Sequence, residues 1–84
     1  MEAELTTNEL VSILVRQAVA DVLGLPPTAL DAATPLSEYG LDSISTVDLT
    51  VQLEEVFDIL IPHRDTRTLT TVDGIIDYIE KLGC

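Results

Sequence analysis

Apolar positions along residues 9–23 recur at spacings of three and four, with Val11, Leu14, Val15, Ala18 and Val22 falling on one helical face. Thr6, Thr7 and Asn8 offer caps at the start of this segment, and Gly24 followed by Pro26 and Pro27 stops it. Residues 25–41 then lose the period. Pro26, Pro27 and Pro35 interrupt them, yet Leu25, Leu30, Leu36 and Leu41 recur. A connection this long inside a compact chain is usually functional or pinned by its own side chains, and these leucines are the expected pins.

A second helix is predicted over residues 43–57, with Asp42 as its N-cap. It carries two apolar stripes rather than one. Thr46, Leu49, Leu53, Val56 and Phe57 share the face expected to enter the core. Ile44, Val47 and Val51 lie on roughly the opposite face, among Asp48 and Glu55. A small bundle cannot easily bury both sides of one helix. Pro62 ends the tail of this segment, and residues 63–68 are expected to form one short helical turn. The last helix, residues 71–82, is capped by Thr70 or Thr71 and turns Val72, Ile75, Ile76 and Ile79 inward, with Gly83 at the position of a C′ glycine. The pattern predicts an all-α fold: a small antiparallel bundle of three main helices plus a short helix in third position. A long loop, residues 24–42, joins the first two helices. The 84 residues allow a single domain, 1–84.

Composition narrows the core. The chain is 46% hydrophobic but only 4% aromatic, so its interior must be aliphatic. The start, MEAELTTNEL, is acidic and runs straight into helical pattern, unlike a signal or transit peptide. No run approaches the roughly 20 apolar residues of a membrane span. The chain is therefore expected to be complete, cytoplasmic, monomeric and free of membrane. The one cysteine, Cys84, is terminal and is expected to be a loose thiol with no structural role.

Charge adds more. Fifteen acidic residues against four Lys and Arg give a net −11, which disfavours nucleic acid as a partner. Between Arg16 and Arg64 there is no Lys or Arg, while Asp21, Asp31, Glu38, Asp42, Asp48, Glu54, Glu55 and Asp58 all lie in that interval. Such a one-sign field favours encounter with basic partners.

The stretch YGLDSISTVDL, residues 39–49, presents a serine where loop gives way to helix. A helix-start residue is the plainest reading of Ser43. A nucleophile elbow requires G-x-S-x-G, which Gly40-Leu41-Asp42-Ser43-Ile44-Ser45 does not match. The one histidine, His63, lies far along the chain beside Pro62, with no sequence sign that it approaches Ser43. The run Asp42-Ser43-Ile44-Ser45-Thr46 lacks the spaced oxygen ligands of a calcium loop, and no Cys/His cluster suggests another metal. The remaining reading is an attachment point, because a phosphodiester on a serine at a helix N-terminus meets exposed N–H groups and a favourable dipole.

These residues resemble the acyl carrier proteins, over residues 10–82. Gly40-Leu41-Asp42-Ser43-Ile44 is similar to the family's phosphopantetheine attachment motif, with Ile44 where Leu is commoner. Leu53-Glu54-Glu55-Val56-Phe57 with Ile61-Pro62 resembles the end of the family's second helix and the turn after it. Thr70-Thr71-Val72 and Ile76-Asp77-Tyr78-Ile79 resemble the start and body of its last helix. The resemblance implies that Ser43 accepts 4′-phosphopantetheine from coenzyme A through a separate magnesium-dependent phosphopantetheinyl transferase. It implies that Asp42 assists recognition by that transferase. Ile44, Val47, Asp48, Val51, Glu54 and Glu55 would form a docking face for partner enzymes. Such a chain is a covalent carrier, not an enzyme. Its implied partners are an acyl- or aminoacyl-loading ligase, an acyltransferase or a ketosynthase with a basic docking surface. Ser45, where the primary fatty-acid carriers commonly have an acid, and the Pro26-Pro27 pair point away from primary fatty-acid synthesis. They lean toward a free-standing carrier of polyketide or related specialised-metabolite biosynthesis, with a carrier of primary fatty-acid synthesis or an aminoacyl or peptidyl carrier of a nonribosomal pathway as alternatives, and an unmodified structural adaptor as the last.

Overall fold

The structure, a computed structural model, describes residues 6–83. Three α-helices, α1 (Thr7–Leu23), α2 (Ser43–Phe57) and α3 (Val72–Leu82), are linked by segments that contain only 3-10 turns, at Pro27–Ala29, Leu36–Tyr39 and His63–Thr68. The architecture is the expected helical bundle, and no strand occurs among the described residues. Cys84 lies outside them.

Helix α1 begins two residues before the expected position because Thr6 and Glu9 form a capping box. The Thr6 hydroxyl accepts the Glu9 N–H at 3.1 Å, and the Glu9 carboxylate accepts the Thr6 N–H at 2.9 Å. Val11, Val15 and Ala18 are buried as predicted, but Leu14 is 40% exposed and Val22 only half-buried. Val19 and Ala20 are buried in addition. The long loop causes this rotation. Its first 3-10 turn packs against α1, and Arg16 donates from Nη1 to the Leu30 carbonyl at 3.0 Å. That contact covers the helix on its Arg16 and Ala20 side and leaves the Leu14 flank open.

Both other helices pack on α1. Gln52 of α2 donates to Asp21, near the end of α1, and Asn8 at its start donates to Glu80 of α3. The Asn8–Glu80 pairing, and the hollow in which Phe57 meets Thr7 and Val11, set the ends of α3 and α2 beside the start of α1, so each neighbour is antiparallel to α1. The core is aliphatic: Val11, Val15, Val19, Leu30, Leu36, Leu49, Leu53, Ile61, Leu69, Val72, Ile75 and Ile79 are buried in it.

On α2 the inward face is Leu49, Thr50 and Leu53. Thr46 and Phe57 are half-buried, whereas Val56, expected in the core stripe, is 43% exposed. Thr50 enters the interior by donating its hydroxyl to the Thr46 carbonyl at 2.8 Å, which satisfies the group at little cost. The helix ends at Asp58, whose φ of 55° is left-handed and whose N–H donates to the Glu54 carbonyl. Aspartate is among the few non-glycine residues that tolerate this conformation, so no glycine signals the stop. On α3, Val72, Ile75 and Ile79 are buried and Ile76 is half-buried. Thr71 is the cap, accepting the Gly74 N–H at 2.9 Å. A Cβ at Gly74 would lie 3.1 Å from the Thr68 carbonyl and the Thr71 hydroxyl, closer than ordinary contact, so glycine fits this helix entry without displacing either group. Gly83 occupies the C-cap position but in the right-handed region, φ −79°, so it is not the left-handed cap expected.

The loop leucines act as pins, though unequally. Leu30 and Leu36 are buried, while Leu25 and Leu41 are half-buried against the core. The Leu36 N–H also donates to the Thr70 carbonyl at 2.7 Å, and the Asp73 N–H to the Ala32 carbonyl at 3.0 Å. Loop and α3 entry are thus stitched together by backbone.

Truncating the fully buried Leu36 to alanine should cost about 3 kcal/mol, read as a lower urea midpoint with an unchanged slope. A second expectation concerns the Asp42 cap, whose carboxyl is held below its ordinary 3.8. The Ser45 N–H is the main cause, aided by the Ser45 hydroxyl and the Ile44 N–H against a small opposing effect of burial. Because the folded pKa is depressed, the cap's contribution is full above the unfolded value and is lost as pH falls through the folded one. Asp42→Asn keeps a capping oxygen without a titrating group. It should therefore flatten the loss of stability between about pH 5 and about pH 2, measured by urea unfolding across that range.

Candidate functional site

The site is assembled from the loop upward. Leu36, fixed in the core, opens the 3-10 turn Leu36–Tyr39. Gly40 closes it at φ 98°, a left-handed value that a Cβ would strain, and its N–H donates to the Ser37 carbonyl at 3.1 Å. The chain reverses there, and the Leu41 N–H returns to the Leu36 carbonyl at 3.2 Å. Tyr39 helps hold this corner by accepting the Asp31 N–H on its hydroxyl at 2.8 Å. The next two residues enter α2.

Asp42 is the N-cap, as expected, accepting the Ser45 N–H at 2.8 Å. Its carbonyl accepts both the N–H and the hydroxyl of Thr46, at 2.8 and 2.7 Å. Capping is therefore complete without Ser43. Ser43, first residue of α2, is exposed, and its hydroxyl makes no hydrogen bond among the described residues. A free primary alcohol at the positive end of a helix is well suited to carry an esterified phosphate. That is the fit required of a phosphopantetheine attachment serine.

Ser43 stands at one end of a groove of about 320 Å³ between α2 and the His63–Thr68 turn. Thr46, Val47, Thr50, Val51 and Ile61 form much of its lining, and Glu54, His63 and Thr66 add polar atoms. The predicted second stripe of α2 is not covered. Ile44 is 75% exposed, and Val47 and Val51 are 56% and 48% exposed. Asp48 and Glu55 stand exposed beside them, and both line a shallow acidic furrow with Asp21 against α1. Glu54 differs from these two. Its carboxylate accepts the Ile61 N–H at 2.8 Å, so it also holds the end of α2 to the following segment.

Sequence reasoning missed two features. Leu60 is 84% exposed, between half-buried Ile59 and buried Ile61. Three consecutive apolar residues in extended backbone before Pro62 cannot all face one side, and that is the signal that could have shown one of them exposed. The second is His63, for which the sequence offered no approach to Ser43, yet the two share the groove. No hydrogen bond joins the imidazole to the Ser43 hydroxyl, so the pairing that activates a nucleophilic serine is not formed. Among the described residues no group of three or more His, Cys, Asp or Glu could hold a metal ion, and no helix is long and apolar enough to cross a membrane.

Comparison with known proteins agrees with this geometry. A family model described as "Phosphopantetheine attachment site" matches residues 14–79. An acyl carrier protein from Campylobacter concisus is 36% identical over 70 residues, spanning 82% of this chain and 91% of that protein. One from Bdellovibrio bacteriovorus is likewise 36% identical over 70 residues, spanning 82% and 90%. Among solved structures, a free-standing peptidyl carrier protein from an uncharacterized Acinetobacter baumannii secondary metabolic pathway superposes with a TM-score of 0.81. It covers 92% of this chain and 96% of its own, at 21% identity, a likeness of fold. Acyl carrier proteins are carriers rather than catalysts. With its phosphopantetheine attachment site, its helical bundle and its curated relatives, the chain belongs to the acyl carrier protein family.

Proposed function

We propose that Ser43 is the residue that receives 4′-phosphopantetheine, and that the chain presents acyl intermediates on that arm to successive partner enzymes. The observation that carries this reading is the Ser43 hydroxyl itself: exposed, at the first turn of α2, and not used as a cap because Asp42 already fills that role. In the modification, the Ser43 oxygen forms a bond to the phosphorus of coenzyme A that bears the pantetheine. The adenosine-containing half leaves and the serine proton passes to the transferase. When bound, the arm supplies a thiol that holds an acyl group as a thioester.

The chain's own residues supply address and orientation. Gly40 and Leu41 aim the serine outward, and Asp42 keeps the helix start rigid while offering an exposed carboxylate to the transferase. Ile44, Val47 and Val51 form the apolar strip on which a partner seats. Asp48 and Glu55, with Glu54 in part, supply the acidic rim that steers a basic partner into register. Docking over so small a strip is weak and exchangeable, as serial partners require. The tether compensates by holding the cargo at high effective concentration near each docked enzyme.

For the pathway, Ser45 and the Pro26-Pro27 pair support specialised-metabolite synthesis of the polyketide type, with fatty-acid and aminoacyl carriage as alternatives. The relatives described as acyl carrier proteins favour an acyl cargo. Partners on this reading are a phosphopantetheinyl transferase and a loading ligase, acyltransferase or ketosynthase with a basic surface, working in the cytoplasm on a monomeric carrier.

Incubation with coenzyme A, magnesium and a promiscuous phosphopantetheinyl transferase should add about 340 Da to the protein, and Ser43→Ala should add none. An unmodified wild type, or a modified Ser43→Ala, overturns the assignment. Charge reversal at Asp48 and Glu55 should slow acyl loading by a basic partner about 10-fold at low ionic strength, the gap closing above about 0.5 M salt. Glu54 is a poor site for that experiment because its carboxylate also holds the Ile61 N–H. Circular dichroism of the Asp48/Glu55 variant should match wild type. Equal loading rates at low salt would refute steering.

A further inference from the structure

Charge on this chain is segregated in space as well as in sequence. Of its four Lys and Arg residues and one His, three fall within the turn His63–Thr68: His63, Arg64 and Arg67. That turn forms one wall of the groove at Ser43. His63 and Thr66 line the groove itself, and Arg67 lies with Thr66 in the adjoining hollow that also includes Leu41 and Thr46. His63 thus shares the groove of Ser43, and Arg67 lies in the hollow next to it, apart from the acidic furrow of Asp21, Asp48 and Glu55.

The turn's own acid does not neutralise His63 or Arg67. The Asp65 carboxylate accepts the Tyr78 hydroxyl at 2.7 Å, which turns it toward α3, and its remaining ion pair is with Arg64 at 3.8 Å. Burial first, then the Asp65 hydrogen bond and charge, push Tyr78 up to about 12. His63 and Arg67 are exposed and make no ion pair among the described residues. The other charged group lining the groove is Glu54, which is engaged with the Ile61 N–H, and Asp42 precedes Ser43 as the cap of α2.

A phosphodiester on Ser43 adds a further anion to a chain of net −11, directly beside the ionised Asp42. Alone, that arrangement is repulsive. The geometry points to His63 and Arg67 as the residues that bind this phosphate, holding the root of the arm against the His63–Thr68 turn rather than over α2. The proposal rests on Ser43 as the attachment residue. The His63–Thr68 turn is then a phosphate clasp. It leaves the apolar strip of Ile44, Val47 and Val51 clear for a partner, and a docked enzyme with its own cations can release the arm by competing for the phosphate. The class of ligand is a phosphodiester anion, and the contact is a charge-assisted hydrogen bond to each cation.

Nuclear magnetic resonance of the full chain, before and after modification, tests this at about 0.15 M salt, where distant charges are largely screened. Mass measured on the same samples establishes modification, so failure of the Ser43 assignment registers separately as absence of the added mass. In the modified protein the His63 pKa should rise by about half a unit, and the Arg67 Nε–Hε resonance should move. A phosphodiester does not itself titrate near neutrality. Its ³¹P signal should nevertheless shift with pH in step with His63, and should stay flat in His63→Gln. Modified protein with an unchanged His63 pKa and a ³¹P signal flat in wild type would overturn the clasp. A ³¹P titration that persists in His63→Gln would overturn it equally.

Discussion

The burial of Leu36 is the constraint on which the working end of this molecule depends. It is a loop residue with no solvent exposure, and its N–H is tied to the Thr70 carbonyl at the entrance to α3. Everything between it and Ser43 is short: one 3-10 turn, the left-handed Gly40, half-buried Leu41 and the Asp42 cap. With so few residues there is little slack. The depth of one leucine therefore sets where α2 begins, and hence where the serine hydroxyl emerges. This is the usual division of labour in small domains, in which a functional loop is precise because its ends are anchored in core.

The same economy governs the polar groups of α2. Asp42 takes over the capping that Ser43 could have supplied, so the hydroxyl stays available. Glu54 lines the groove and also satisfies the Ile61 N–H, joining the acidic face to the segment that carries the cationic turn. Thr50 enters the core by returning its hydroxyl to its own helix. The stability lost to self-repulsion among eight acids between Arg16 and Arg64 is offset elsewhere, chiefly by an aliphatic core that runs through all three helices.

Exposure of Ile44, Val47 and Val51 fits the same picture. Small soluble domains keep contiguous apolar surface scarce, and such a strip beside an acidic rim has the make-up of a transient docking face. The opposite wall of the Ser43 groove carries His63, with Arg67 in the adjoining hollow. On the proposed reading, a partner would meet an acidic α2 face on one side of Ser43 and the His63–Thr68 turn on the other, an asymmetry that favours one orientation of encounter.

Much of this was legible in the residues alone. Period and caps specify three helices to within two residues at each end, because proline, glycine and threonine act locally. The unburied stripe of α2 follows from counting faces, and the motif around Ser43 stands out by its resemblance to the family's attachment motif. What the sequence left open depends on contacts between distant segments. Leu14 has the right period for the core yet remains exposed, because the covering of α1 is decided by where the loop packs, and Val56 of α2 is likewise left exposed. The end of α2 at Asp58 rests on an aspartate accepting a left-handed conformation, for which no residue pattern is diagnostic. His63 reaches the groove of Ser43 only because Ile61 and Leu69, on either side of its turn, are both drawn into the interior. Local hydrogen bonding and periodicity are written in neighbouring residues, so the sequence by itself determined the helices, their caps and the candidate serine. Which apolar face is covered, and which charges meet across a groove, are settled by packing between segments far apart in the chain, and only the tertiary structure decides them.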